Sequence, residues 1–262
     1  MSEEGVHPAY TSNSSYSQVC AEAASNDSSF NNFRRNPIYN QILEHVTKEF
    51  GSEYLKIISG DPDILKAINA LKMNDNYGNP EKHLYSVGAV SPTTLRYIKV
   101  LVDIKKLFKT VDGFNMCEIG GGYGGQCRII NAYFKPASYC LVDIPPALAL
   151  SKRFLSNYTL PPKMIYKTMD ELDQRDYDLM ISNYAFSELP RTIQEIYLKK
   201  IILNSRRGYI TYNEVTSYSF RKNELISIIS KSRITEEKPL TYDGNCVIIW
   251  GDDLLPTTIP QV

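Results

Sequence analysis

Cysteine, histidine and tryptophan are scarce in this 262-residue chain, which holds five Cys, three His and one Trp. The cysteines are Cys20, Cys117, Cys127, Cys140 and Cys246. Their number is odd and no two have metal-ligand spacing, so neither a disulfide framework nor a zinc site is indicated, and no metal is expected. Cys117, Cys140 and Cys246 sit inside apolar runs and read as small buried hydrophobes. An excess of charge is also missing: 29 Lys and Arg stand against 29 Asp and Glu. That balance argues against a dedicated nucleic-acid binder, which carries a basic surplus. No apolar run is long enough to span a bilayer, and no signal-peptide pattern opens the chain. A reducing, cytoplasmic setting is the expectation. No internal repeat is visible.

What is present suits a substantial globular domain. Apolar residues make up 43% of the chain, and there are 19 tyrosines, which suit half-buried surfaces and pockets for polar, ring-shaped ligands. Residues 1–30 are rich in Ser, Asn and Ala and are expected to be partly disordered, with a short helix over 16–24. Residues 31–110 read as a helical extension. Three helix starts there share one signature, a capping residue followed by proline: Asn36-Pro37, Asp61-Pro62 and Ser91-Pro92. Proline has no N–H to be orphaned at the first helical position, so the pair marks a start. After the first cap, Ile38, Ile42, Val46 and Phe50 recur every four residues and predict one helix.

From residue 111 to 262 the pattern changes. Strands are predicted at 114–119, 138–143, 164–167, 177–182, 208–212 and 246–250, with a weaker one near Ile234. Helical spacing falls between them, at 126–134, 146–155, 193–203 and 220–230. Alternating β and α units predict an α/β fold: a mostly parallel, Rossmann-like sheet with helices on both faces. Ligands of such sheets bind at the carboxyl ends of the strands.

The densest signal is Glu118-Ile119-Gly120-Gly121-Gly122-Tyr123-Gly124-Gly125. Gly120, Gly122 and Gly124 behind Glu118 fit acidic-x-G-x-G-x-G, the first motif of class I S-adenosylmethionine-dependent methyltransferases. Gly120, Gly122 and Gly125 equally fit the dinucleotide fingerprint. Glycine spacing alone does not choose. Glu118 tilts the reading, because a carboxylate repels a diphosphate and attracts the ammonium of a methionine moiety. Asp143, about twenty residues on, is placed to accept hydrogen bonds from ribose hydroxyls, a device common to both cofactors. Asp143-Ile144-Pro145 resembles small-molecule O-methyltransferases. Asp170 is the candidate for the adenine amino group. Asn183 and Tyr184 follow a strand at the carboxyl edge and are candidates to line the cofactor. The Asn-Pro-Pro-Tyr form used on planar nitrogens is absent.

Several stretches taken together resemble a sugar O-methyltransferase family associated with bacterial polysaccharide loci. They are Asn74-Asp75 with Gly78-Asn79-Pro80, Ser91-Pro92-Thr93-Thr94-Leu95-Arg96-Tyr97, the glycine loop, Asp143-Ile144-Pro145, and Ser182-Asn183-Tyr184-Ala185-Phe186-Ser187-Glu188. The resemblance covers roughly residues 16–250. It implies a seven-stranded class I methyltransferase fold with an N-terminal helical extension, S-adenosylmethionine as donor and a sugar hydroxyl as acceptor. The acceptor is free, nucleotide- or lipid-linked, or part of a glycan, and oligomeric state is open. No nucleic-acid partner is expected.

A sugar hydroxyl ionises far above neutral pH and needs a base as its proton leaves. His83, in the polar segment before the Ser91-Pro92 helix, is the histidine proposed; His7 lies in the tail and His45 within the first capped helix. Glu188 and Glu214 are the carboxylate alternatives. Tyr85, Arg96, Tyr97 and Asn213 are the candidate acceptor contacts. Arg34, Arg35 and Arg96 are also candidates to pair with the methionine carboxylate or with a phosphate or uronate on the acceptor, although Arg34 and Arg35 read chiefly as surface ion-pairing residues. Two rivals stand beside a methyltransferase. One is an NAD(P)-dependent oxidoreductase, weakened by the lack of a Tyr-x-x-x-Lys pair, since Asp170 follows Tyr166 and Ile201 follows Tyr197. The other is a non-catalytic S-adenosylmethionine-binding module.

Overall fold

The computed structural model describes residues 14–160, 163–214, 217–252 and 254. Its front part is helical. Helix α1 (Ser15–Ser25) starts where Ser14 accepts the Ser17 N–H, and α2 (Asp27–Asn32) starts where Asn26 accepts the Ser29 N–H. So residues 14–30 are helical and packed, with Tyr16, Cys20 and Ala23 buried where α1 meets the later helix over Pro145–Leu155. Residues 1–13 lie outside the described residues.

The three cap-proline pairs all start helices: α3 (Pro37–Tyr39), α5 (Pro62–Lys72) and α6 (Pro92–Phe108), with Asn36, Asp61 and Ser91 as caps. The first of these is not the single helix predicted from its four-residue spacing. It widens into a π-helical turn over Asn40–Glu44 and stops; Thr47 then accepts the Phe50 N–H and starts α4 (Lys48–Ser59). A second capping residue inside an apolar period cut one predicted helix in two. Between α5 and α6 lies an antiparallel hairpin, β1 (His83–Tyr85) and β2 (Gly88–Val90), which no periodicity announced.

The remaining elements alternate as predicted: β3 (Asn115–Ile119), α7 (Gly125–Tyr133), β4 (Ser138–Val142), α8 (Pro145–Leu155), β5 (Lys163–Lys167), β6 (Leu179–Asn183), α9 (Arg191–Lys200), β7 (Gly208–Tyr212), α10 (Lys222–Ile228), β8 (Arg233–Glu236) and β9 (Cys246–Trp250). Strands β3 to β9 form one seven-stranded sheet in the order β5-β4-β3-β6-β7-β9-β8. Neighbours from β5 across to β7 are parallel; β9 runs antiparallel between β7 and β8. This is a Rossmann-like sheet. Side chains alternate between two apolar layers. Met116, Tyr139, Leu141, Tyr209 and Ile249 face the layer containing α6, α7 and α8, while Cys117, Cys140, Val142, Ile210 and Ile248 face the layer containing α9 and α10. No helix among the described residues is long and apolar enough to cross a membrane.

The chain enters the sheet at its centre, builds outward through β4 and β5, then crosses back to β6 on the other side of β3. The strand order therefore reverses between β3 and β6. The loops leaving their carboxyl ends diverge there and leave a crevice.

Candidate active site at the sheet switch point

A cavity of about 410 Å³ occupies that crevice. Its floor is made by the loops after β3, β4 and β6. Gly120 (φ +75°) and Gly122 (φ +54°) take left-handed backbone conformations that only glycine adopts cheaply. A Cβ on Gly120 would come within 2.0 Å of the Ala185 side chain, and one on Gly122 within 3.0 Å of Leu43. The loop can therefore lie flat between the β6 loop and the residues above it.

Asp143 fastens this loop. Its Oδ2 accepts the Gly122 N–H at 2.9 Å and its Oδ1 accepts the Ile144 N–H at 2.8 Å. Burial pushes its carboxyl up to about 6, against the lowering effect of those two amides. At neutral pH it is ionised, lines the cavity, and keeps lone pairs for a ligand's hydroxyls.

The β6 side contributes Asn183, Tyr184 and Glu188. Tyr184 is held at φ +66°, a strained position for a tyrosine. Its hydroxyl donates to buried Glu237, and burial followed by that carboxylate drives its pKa well upward, so it stays a neutral phenol. Glu188 accepts the Asn213 Nδ2–H at 3.0 Å, which brings both to the same wall.

The roof comes from the helical front. Ile42, Leu43, His45, Val46, Thr47 and Phe50 cover the cavity, with Tyr54 of α4, Tyr16 of α1 and Arg96 of α6 beside them. This segment is pinned from behind by a buried polar network. Arg34, fully buried, bonds Glu44 at 2.6 Å and Asp75 at 3.0 Å, reaches Ser91 Oγ at 3.0 Å, and lies over the Tyr123 ring. Asp75 also accepts the Ser91 N–H and the Thr94 hydroxyl, and Asn74 donates to Thr94 and to the Tyr123 hydroxyl. The Asn74-Asp75 and Ser91–Thr94 motifs thus hold the roof and the glycine loop together rather than touching the cavity. Arg34 is not the surface residue expected of it; Arg35 is, bonding exposed Glu81.

Gly120, Gly122, Asp143, Ile144, Asn183, Tyr184, Glu188, Arg96 and Asn213 all line the one cavity. Other candidates lie elsewhere. Glu118 is 3% exposed beneath the loop, accepts the Tyr139 hydroxyl at 2.7 Å, and is pushed by burial up to about 8. Its carboxyl is turned to Tyr139 and does not line the cavity. Gly124 caps α7 under Leu155. Asp170 is exposed in a short turn closed by Thr168 and Glu171. Glu214 is engaged by the Lys222 N–H and ammonium. Tyr97 is buried against Tyr123, and Tyr85 donates to the Lys48 carbonyl. His83 sits on the β1–β2 hairpin beside Glu81 and does not line the cavity.

His45 does line it. Burial and then the neighbouring Arg96 guanidinium lower its pKa, so it is a neutral imidazole at pH 7. It was missed because it was placed within a continuous helix; the signal available was Thr47, a capping residue two positions on, which frees His45 from helical geometry. The loop residues Thr241, Tyr242 and Asn245 were missed as well, and nothing in their local sequence marks them. Asn245 Oδ1 is buried without a hydrogen-bond partner. Among the described residues no cluster of three His, Cys, Asp or Glu side chains has metal-binding geometry.

No family model matches the chain, and no curated protein matches it. Solved structures do. The magnesium protoporphyrin IX methyltransferase of Synechocystis PCC 6803, solved with bound SAM, is 13% identical, with 81% of this chain and 96% of that one covered and a TM-score of 0.46. A Thermoplasma acidophilum protein is 16% identical over 63% of this chain and 91% of that one, with a TM-score of 0.43. The mitomycin 7-O-methyltransferase is 12% identical over 59% and 56% of the two chains, with a TM-score of 0.43. At such identities and scores the fold rests on the strand order itself.

Proposed function

We propose that this chain is an S-adenosylmethionine-dependent O-methyltransferase whose acceptor is a sugar hydroxyl. The observation that carries the cofactor half is the state of the α7 N-terminus. A dinucleotide's diphosphate sits on such a helix end. Here Gly124 and Gly125 are buried and do not line the cavity; a Cβ on Gly125 would strike Tyr97 and Tyr123 at 2.5–2.6 Å. The helix end is sealed by aromatic rings, which disfavours a diphosphate. The residues that are open fit a nucleoside joined to an amino acid: bare backbone at Gly120 and Gly122, and a carboxylate at Asp143 with acceptor capacity to spare. The family resemblance of the motifs points the same way.

When bound, S-adenosylmethionine supplies an electrophilic methyl on a sulfonium, and the neutral leaving group asks little of the protein beyond alignment. Asp143 would take the ribose hydroxyls. Gly120, Gly122, Ile144 and Asn183 would shape the seat, and the roof over residues 42–50 would exclude water. His45 is the base that the geometry favours, being neutral, accessible and on the cavity wall, whereas His83 is not on that wall. The other polar groups of the cavity, Asn213, Asn245, Glu188 and Tyr242, suit a hydroxyl-rich acceptor.

The test is direct. S-adenosylhomocysteine should raise the melting temperature, NAD should not, and labelled methyl should pass to members of a panel of free, nucleotide-linked and glycan sugars. Stabilisation by NAD and none by S-adenosylhomocysteine would overturn the cofactor; cofactor binding with no transfer to any sugar would overturn the acceptor.

A further inference from the structure

Arg96 enters the cavity from the first turns of α6 with its charge unanswered. Of its five N–H donors, one is used among the described residues: Nη2 donates to the Leu43 carbonyl at 3.1 Å. Its Nε is buried and has no partner. No carboxylate lies within ion-pair distance of it among the described residues; the nearby Glu44 is bound to Arg34 at 2.6 Å. Its other neighbours are ring faces, Tyr97 at 5.6 Å and Tyr184 at 6.0 Å, which attract a cation but do not satisfy its donors. A half-buried guanidinium that faces a cavity without an anion is costly to hold, and a ligand that brings the anion relieves that cost. Its planar fork matches a carboxylate.

From this we infer that Arg96 is the receptor for a carboxylate carried by a ligand of the cavity. The inference rests on the proposed function and deepens it. Two sources share the chemistry: the methionine carboxylate of the cofactor, and an acid group on the acceptor such as a uronate. The charges of the cavity favour the cofactor. Its fixed charges among the described lining residues are two carboxylates, Asp143 and Glu188, and one guanidinium, Arg96. S-adenosylmethionine carries the complement: two cations, sulfonium and ammonium, and one carboxylate.

The experiment compares two ligands in wild type, Arg96→Met and Arg96→Lys. One ligand is S-adenosylhomocysteine; the other is its decarboxylated analogue, S-adenosyl-3-thiopropylamine. Their affinity ratio, read by calorimetry, cancels any general loosening of the roof on losing the Leu43 contact. Wild type should prefer the carboxylated ligand by about 10–100-fold, the worth of a charge-assisted pair. Arg96→Met should bring the ratio to within about threefold, and Arg96→Lys should fall between. If the ratio survives in Arg96→Met, the second arm compares KM for a uronic acid glycoside with that for the matching neutral glycoside; a rise confined to the acidic acceptor assigns Arg96 to the acceptor. Both ratios unchanged would overturn the inference while leaving the methyltransferase reading intact. Wild type that binds neither adenosyl ligand would overturn that reading, and this inference with it.

Discussion

Asp143→Ala separates the structural task of this carboxylate, holding the glycine loop, from the ligand-binding task proposed for it. In the folded protein its pKa rises from the usual 3.8 to about 6, because burial outweighs the two amides that stabilise its charge. Two units correspond to about 3 kcal/mol. The sign follows from proton counting. Between pH 4 and 6 the folded state holds a proton that the unfolded state has lost, so wild-type stability falls as pH rises through that window. Alanine carries no such dependence. The variant should thus be the less stable form near pH 4, where the neutral carboxyl still accepts the Gly122 and Ile144 N–H groups, and should gain up to about 3 kcal/mol on wild type by pH 7. Ligand binding should move the opposite way. Losing a charged acceptor for ribose hydroxyls removes about 1.5–3 kcal/mol, or about 10–150-fold in S-adenosylhomocysteine affinity. Wild-type affinity should also weaken as pH falls below 6, while that of the variant stays flat. Denaturant unfolding and calorimetry from pH 4.5 to 8 read both effects. Parallel stability curves together with equal affinities would refute the double role.

Three further outcomes are expected. His45→Gln should lower turnover by about 10²–10⁴-fold with S-adenosylhomocysteine affinity unchanged; the wild-type acidic limb, falling below the ordinary histidine range because the pKa is lowered, should vanish in the variant. Arg34→Ala should cost about 3–5 kcal/mol in unfolding experiments, since it leaves Glu44 and Asp75 buried without their cation. Glu118→Gln should leave S-adenosylhomocysteine affinity within about threefold of wild type at pH 7, because the side chain it replaces is turned to Tyr139 and does not line the cavity. Its stability relative to wild type should rise from pH 4.5 to 8, as the buried carboxyl is forced to ionise; a larger loss of affinity would mean that Glu118 acts as a charge.

The sheet was legible because strand period, cap-proline pairs and glycine turns are local signals, and β7 and β9 lie at their predicted residues. That Gly120, Gly122, Asp143 and Tyr184 share one cavity was legible for the same reason: they follow strands whose ends converge by topology. What escaped was set by long-range packing. His45 depends on a break that Thr47 imposes, Arg34 on carboxylates ten and forty-one positions away, and Asn245 on a loop returning from the far edge of the sheet. Glu118 lies at the carboxyl end of β3 as expected, but its burial beneath the loop against Tyr139 cannot be read from spacing.

The cavity draws on both ends of the described chain. Tyr16 closes it from α1, and Thr241 to Asn245 close it from the segment before β9. Strand β9, although last in order, pairs between β7 and β8 and completes the sheet. Every described lining residue lies at or before Asn245, so truncation there would leave the whole lining in the chain and remove only the strand that ties the Thr241–Asn245 wall to β7 and β8; the site depends on a segment that contributes nothing to its surface.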